Sequence, residues 1–276
     1  FFSYEKRTLL IDNDQSLNIF RNYIDRQGIL GIDTEFNWRT TYLPKLSLLQ
    51  VVTKNRVFLV DCLMCKNLDF LKNIFEDTSK IIILHSVRND TTVLSKNLNI
   101  EIEKCFDIQI AERILTDGKT LSLGKIISKY IKLDLKKNET NSNWLKRPLT
   151  SSQIRYAAED VLYLIDVYKK QKNLLEKINK FKYVCDLSKK EACLGNRDLA
   201  ETRVKKLKNA SNKEKKIFLW REKNAFQQDV PPSFLIDDKN LTKLFRVDLR
   251  KPIRKKRIDS ILGNLKLTEK FINDFS

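Results

Sequence analysis

Along the first two thirds of the chain, short apolar runs alternate with segments whose apolar residues recur at helical spacing. Thr8 to Ile11 predicts a short strand. Asp14 is a candidate cap for an amphipathic helix carrying Ile19, Phe20, Tyr23 and Ile24, which Gly28 stops. The stretch GILGIDTE, Gly28 to Glu35, then sends an apolar strand into two acids one residue apart. Leu46 to Val52 and Val57 to Val60 flank the polar TKNR turn and predict a hairpin, which makes these three strands antiparallel neighbours. A helix opening at Asn67 carries Leu68, Leu71, Ile74 and Phe75, and the run Ile81 to Leu84 is short enough for a buried strand.

The segment HSVRND follows that strand, and Asn89 or Asp90 begins a helix through Val93 and Leu94. Cys105 to Ile108 is a further short strand or turn, with Asp107 as cap for the next helix. Another helix starts at Ser122, and a polar loop then leads to TSSQIRYAAEDVLYLIDVY, where Thr150 and Gln153 have capping-box spacing. Past Lys180 only helical patterns remain, with cap signals at Ser211, Asp237 or Asp238, Asp248 and Thr268. Strand, helix, strand order predicts an α/β layered sheet, followed by a small all-α region. The expected boundary is near Gly195, giving domains 1–194 and 195–276, with Trp220, Phe226 and Phe234 as a small core for the second.

Side chains on a strand alternate faces, so Asp33 and Glu35 point the same way at the rim of a core. Like charges there disfavour each other unless a cation lies between them, although both would also serve as solvated residues at a strand end. Asp90 stands where a strand gives way to a helix, a place suited to a cap as well as to a ligand. Tyr156 and Asp160, four positions apart, share a helix face beside the small Ala157 and Ala158. Asp33, Glu35, Asp90 and Asp160 converging at one sheet edge would suit a two-metal centre for phosphodiester hydrolysis. Tyr156 could orient the attacking water, since a phenol is a good hydrogen-bonding group and a poor base near neutrality.

Composition narrows the chemistry. His85 is the only histidine among 276 residues, which excludes a histidine pair and leaves oxygen ligands, hence Mg²⁺ or Mn²⁺. The five scattered cysteines do not form a disulfide framework, and the lone Cys62-x-x-Cys65 pair lacks two further zinc ligands. Basic residues exceed acids by 18, which favours a polyanionic partner. From Gly195 onward there are 21 basic and 11 acidic residues, and RKPIRKKR places Arg250, Lys251, Arg254, Lys255, Lys256 and Arg257 within eight positions, a density suited to phosphate contacts. No bilayer-spanning run and no signal-peptide pattern are present, so the chain is expected to be cytoplasmic, away from membranes, and monomeric.

Taken together, DTEF with TYLPKLSLLQ, LHSVRND, and NWLKRPLTSSQIRYAAEDVLYL resemble the three exonuclease motifs of the ribonuclease D family, in the tyrosine-bearing branch of the DEDD superfamily. The resemblance covers Gly31 to Leu164 closely and shows no departure at the five catalytic positions. It implies an RNase H-like mixed β-sheet flanked by helices. It further implies two divalent ions held by Asp33, Glu35, Asp90 and Asp160, with Tyr156 positioning water. The implied substrates are single-stranded RNA 3′ ends, including transfer RNA precursors, trimmed to nucleoside 5′-monophosphates. Residues from about 195, including WREKNAFQQDVPPSFLIDD, look like one HRDC-type helical domain where some bacterial members carry two. A 3′-5′ DNA exonuclease of the proofreading or helicase-associated kind, or a non-catalytic RNA-binding scaffold, are the alternatives.

Overall fold

The computed structural model describes residues 7–135, 139, 142–249 and 254–275. The elements run β1 (Arg7–Ile11), α1 (Asp14–Ile24), β2 (Ile29–Asn37), β3 (Lys45–Val52), β4 (Arg56–Asp61), α2 (Phe70–Phe75), β5 (Ile81–Leu84), α3 (Arg88–Leu98), β6 (Cys105–Asp107), α4 (Ile108–Leu115), α5 (Leu123–Ile131), α6 (Ser151–Leu162), α7 (Leu164–Lys177) and α8 (Phe181–Asn196). Then follow α9 (Leu199–Val204), α10 (Asn212–Gln227), α11 (Pro232–Leu235), α12 (Asp238–Phe245), α13 (Arg254–Leu262) and α14 (Leu265–Asp274). The chain divides into two compact units. One runs to Asn37 and resumes from Pro44 to Asn196; the other joins Trp38–Leu43 to the chain from Arg197 on.

In the first unit the strand order is β1-β4-β3-β2-β5-β6. The strands β2, β3 and β4 pair antiparallel, while β1, β5 and β6 join in parallel, so the sheet is mixed. Apolar side chains alternate between two layers. Leu30 and Ile32 of β2 and Phe58 and Val60 of β4 pack with α1, α2 and Leu94 of α3. Leu48 and Val52 of β3 and Leu59 of β4 pack on the opposite face with Ala157, Val161 and Leu164 of α6 and α7. The odd positions of β2, including Asp33 and Glu35, therefore face α6 and α7.

Gly31 fixes how closely those helices approach. A Cβ there would lie 2.5 Å from Val52 Cγ1 and 3.0 Å from Leu164 Cβ, so any side chain would push α7 off the sheet. Gly195, where the sequence placed a boundary, lies in the last turn of α8, and a Cβ on it would meet Arg88 O at 2.6 Å. The close approach of α8 to α3 keeps this residue in the first unit.

In the second unit Trp220 packs on Phe271 with ring centroids 4.9 Å apart, among Ile217, Leu244 and Ile258. The expected core of Trp220, Phe226 and Phe234 is not formed, since Phe226 is 55% and Phe234 69% exposed. Six positions along α10 rotate Phe226 by roughly 120° from Trp220, away from the same core. One cap signal also fails: Thr268 is buried within α14, whose cap is Asn264, while residues 250–253, which Asp248 would cap, lie outside the described residues. Asn13, not Asp14, caps α1, because its side-chain Oδ1 accepts from Ser16 N while Ser16 Oγ accepts from Asn13 N.

The six residues Trp38–Leu43 are tied into this unit around Tyr42. The Tyr42 hydroxyl donates to the buried Glu222 at 2.9 Å, Arg203 donates to the same carboxylate at 2.8 Å, and the Arg203 guanidinium lies 5.0 Å from the Tyr42 ring centre. The Asp229 carboxylate accepts from Tyr42 N.

Candidate active site

Three pieces of backbone bring the acids together. The first is β2, whose register with β3 sets Asp33 opposite Gln50 and Glu35 opposite Leu48, with a shift between Glu35 and Phe36. Such an irregularity twists a strand and re-aims the side chains beside it. The second is the turn from β5 into α3. There Asp107 accepts from Ser86 N at 3.1 Å and Val87 N at 2.9 Å, in addition to capping α4 through Gln109 N and Ile110 N. That turn carries Ser86 in the left-handed region, φ 65°, and sets Asp90 in the first turn of α3. Asp90 is 4% exposed and accepts from the Thr34 hydroxyl at 2.6 Å, so it is turned toward the sheet and is not the helix cap.

The third piece is α6. Its start is fixed by the expected capping box, with Thr150 Oγ1 accepting from Gln153 N and Gln153 Oε1 from Thr150 N. Just ahead, Arg147 donates to Asp61 Oδ1 at 2.8 Å and also contacts Asp61 Oδ2. It further donates to the backbone carbonyls of Trp144 and Ser47. Asp61 ends β4 and is 2% exposed. This buried ion pair with its added hydrogen bonds pins the loop before α6 to the sheet. Tyr156 and Asp160 then face a cleft lined by Ile32, Asp33, His85, Leu123 and Leu164.

The electrostatics show that the acids act on one another. Burial, then the charges of Asp90, Asp160 and Glu35, hold the Asp33 carboxyl well above the ordinary carboxylate range. Burial, with the charges of Asp160 and Asp90, pushes Glu35 up to about 9. Burial also raises Asp90 to about 7, opposed by hydrogen bonds from Thr34 and Asp33 that favour its charged form. At neutral pH the bare site therefore retains protons that exposed carboxyls would release. Groups held neutral only by mutual repulsion and burial are suited to a divalent cation, which would replace those protons. Among the described residues no three acids, histidines or cysteines are already drawn into a ligating cluster. Cys62 and Cys65 belong to no such cluster, and all five cysteines are free.

Asp33, Tyr156 and Asp160 line one cleft, Glu35 shares the face of β2 that carries Asp33, and Asp90 comes from α3 in the opposite layer, close enough for its charge to act on Asp33 and Glu35. The basic run is described only in part: Arg250 and Lys251 lie outside the described residues. Lys255, Lys256 and Arg257 are exposed on α13, and Arg254 is half-buried with its guanidinium donating to Leu249 O. Other contributors carry no mark in the sequence pattern. Thr34 sits between the two acids of β2 and faces the other way along the strand, so nothing in its spacing singles it out. His85, excluded as part of a histidine pair, lines the cleft, and Gln109 Nε2 stands 3.2 Å from its Nε2. Gln50 and the Arg147–Asp61 pair become visible only through strand register and long-range contact.

The family model described as 3′-5′ exonuclease matches residues 9–176. The chain belongs to this 3′-5′ exonuclease family. It is 29% identical over 282 residues to a ribonuclease D of Desulfotalea psychrophila, covering 98% of this chain and 74% of that one. Against further ribonuclease D relatives it spans 38–66% of their length. The structure of Escherichia coli RNase D, an exoribonuclease involved in structured RNA processing, superposes with a TM-score of 0.86 at 22% identity, covering 98% of this chain and 74% of that one. Brucella melitensis NrnC, solved with bound Mg²⁺, gives a TM-score of 0.59 at 20% identity, over 75% of this chain and 96% of that one. No helix among the described residues is long and apolar enough to cross a membrane.

Proposed function

We propose that this 3′-5′ exonuclease is a ribonuclease D-type exoribonuclease of the tyrosine-bearing DEDD branch, removing nucleotides from single-stranded RNA 3′ ends. The observation that carries the reading is the mutual perturbation of Asp33, Glu35 and Asp90, with the charge of Asp160 acting on Asp33 and Glu35, beside Tyr156. The donor set is all oxygen and fits two divalent ions such as Mg²⁺ or Mn²⁺, with those four acids as holders. When bound, such ions would lower the pKa of water and offset charge on the scissile phosphate. The chain's own parts do the rest. Thr34 keeps Asp90 oriented by donating to it, the Arg147–Asp61 clamp sets the start of α6, and Tyr156 offers a hydroxyl, one helical turn from Asp160, to orient the attacking water.

The second unit, which resembles an HRDC-type domain, would contribute phosphate contacts through Arg250, Lys251 and the exposed Lys255, Lys256 and Arg257, with Arg254 in support. Transfer RNA precursors are the proposed substrates, and nucleoside 5′-monophosphates the products. The test is a 5′-labelled single-stranded RNA with Mg²⁺ or Mn²⁺, run beside a DNA of matched sequence. Single-nucleotide shortening from the 3′ end, faster on RNA and abolished by chelation, is expected. Equal or faster shortening of DNA would contradict the assignment to RNA, and shortening that survives chelation would contradict the metal centre.

A further inference from the structure

We infer that Gln50 is a positioning residue that holds the Asp33 carboxylate for its metal ion. The inference rests on the metal-centre reading above and extends it to a side chain outside the four acids and the tyrosine. Gln50 is on β3, directly opposite Asp33 in the antiparallel ladder. Directly opposed residues in such a pair project from the same face with Cβ atoms roughly 4.5–5.5 Å apart, within reach of a glutamine amide. Its side chain is fully buried, at 0% exposure, and among the described residues neither its amide nitrogen nor its amide oxygen has a hydrogen-bond partner. Leaving both ends of a buried amide unpaired costs free energy that an apolar side chain of the same size would not, so the position asks for an explanation beyond packing.

The surroundings narrow that explanation. On the other side of β3, Gln50 is opposite Leu59, which offers no polar atom. Ala157, Val161 and Leu164 of α6 and α7 over this face are apolar, and Trp144 of the same cluster, its Nε1 also buried and unpartnered among the described residues, offers only a donor and so cannot serve the amide nitrogen. Asp61, diagonal to Gln50 on β4, is engaged by Arg147 and by the amides of Leu63 and Met64. Asp33 is the cross-strand neighbour whose chemistry complements an amide N–H. With Asp33 ionised by a bound cation, the Gln50 amide would donate to one carboxylate oxygen and fix the direction of the other. Residues that orient a metal ligand in this way commonly contribute 10–100-fold to metal affinity.

The test is Mn²⁺ binding by titration calorimetry to the full chain, comparing wild type with Gln50→Met, which keeps length and volume and removes the amide. Gln50→Met is expected to melt at or above the wild-type temperature and to bind Mn²⁺ at least about tenfold more weakly, with the loss in activity appearing in kcat and not in KM. A purely structural amide would move the melting temperature and leave Mn²⁺ affinity alone, and that result would overturn the inference. Gln50→Asn, which retains the amide but withdraws it by one methylene, covers the case in which the methionine variant does not fold. It is expected to lose Mn²⁺ affinity as well, and wild-type affinity in a folded Asn variant would equally overturn the inference. If the wild type itself binds no Mn²⁺, the metal-centre reading falls and this inference with it. Normal binding by the wild type and by both variants removes only the role of Gln50.

Discussion

The Thr34 hydroxyl donates to the Asp90 carboxylate across 2.6 Å, joining the strand that carries Asp33 and Glu35 to the helix that carries Asp90. Both partners are buried, at 5% and 4% exposure, so little water competes for the bond. It favours the charged form of Asp90 against the burial that raises its pKa to about 7. Thr34→Val keeps the β-branched shape and removes the donor. It should fold, and it should weaken Mn²⁺ binding at pH 7 by about tenfold, because Asp90 loses its orientation and holds its proton more tightly. Calorimetric titration at pH 7 and again at pH 8.5 checks this, with a smaller defect expected at the higher pH.

Metal-free stability should fall as pH rises. Glu35 binds its proton more tightly folded, near 9, than unfolded, near 4.5, so between those values the native state holds more protons than the unfolded chain. The contribution is fully present below about 4.5 and is lost as pH climbs toward 9, on the order of a few kcal/mol. Melting in the presence of a chelator from pH 5 to pH 9 should show the decline, and Mg²⁺ or Mn²⁺ should largely reverse it. A melting temperature that rises across that range without metal would contradict the described acid cluster.

Gly31→Ala should be costly although alanine is small. The added Cβ would lie 2.5 Å from Val52 Cγ1 and 3.0 Å from Leu164 Cβ, forcing β3 and α7 to shift. Overpacking of this kind typically costs about 1–3 kcal/mol. Since Leu164 lies just past α6, the displacement should also move Tyr156 and Asp160 and lower kcat. Denaturant unfolding and steady-state kinetics on the same preparation would read both effects.

Replacing Lys255, Lys256 and Arg257 with alanine should weaken binding of a long single-stranded RNA and flatten its salt dependence. The log-log slope is expected to shrink by ~0.7 for each phosphate that a removed cation had neutralised, about 2 if all three cations pair with phosphates. Hydrolysis of a dinucleotide, which has a single internucleotide phosphate to contact, should change far less. Equal slopes for variant and wild type would show that α13 presents only a solvated charged face.

The strands and the major helices were legible in the sequence because each rests on local signals. Ile81–Leu84 is a bare apolar run, the TKNR turn separates two such runs, and Thr150 and Gln153 cap α6 as their spacing indicates. The acids were legible as types at element ends. Their supports were not, because register and long-range pairing decide them: Gln50 acquires meaning only opposite Asp33, and Arg147 only beside Asp61, 86 residues away. Thr41, Tyr42 and Leu43 lie in the stretch that resembles the first exonuclease motif, yet with Trp38 to Thr40 they group with the helical unit. Tyr42 is drawn there by Glu222, 180 residues on, a partner that no local pattern reveals.

On the proposed reading, Asp33, Glu35, Asp90 and Asp160 form one metal-binding centre that hydrolyses RNA from its 3′ end. Asp33→Asn tests it most directly, since the amide keeps the shape of the carboxyl and removes its charge. Purified Asp33→Asn should be folded and, without metal, at least as stable as wild type, because one repelling carboxyl is gone. With Mg²⁺ or Mn²⁺ it should shorten a 5′-labelled single-stranded RNA at less than about one hundredth of the wild-type rate, a loss beyond the ~10–100-fold that follows from removing a residue that only supports a ligand. Undiminished shortening by that variant would contradict the account.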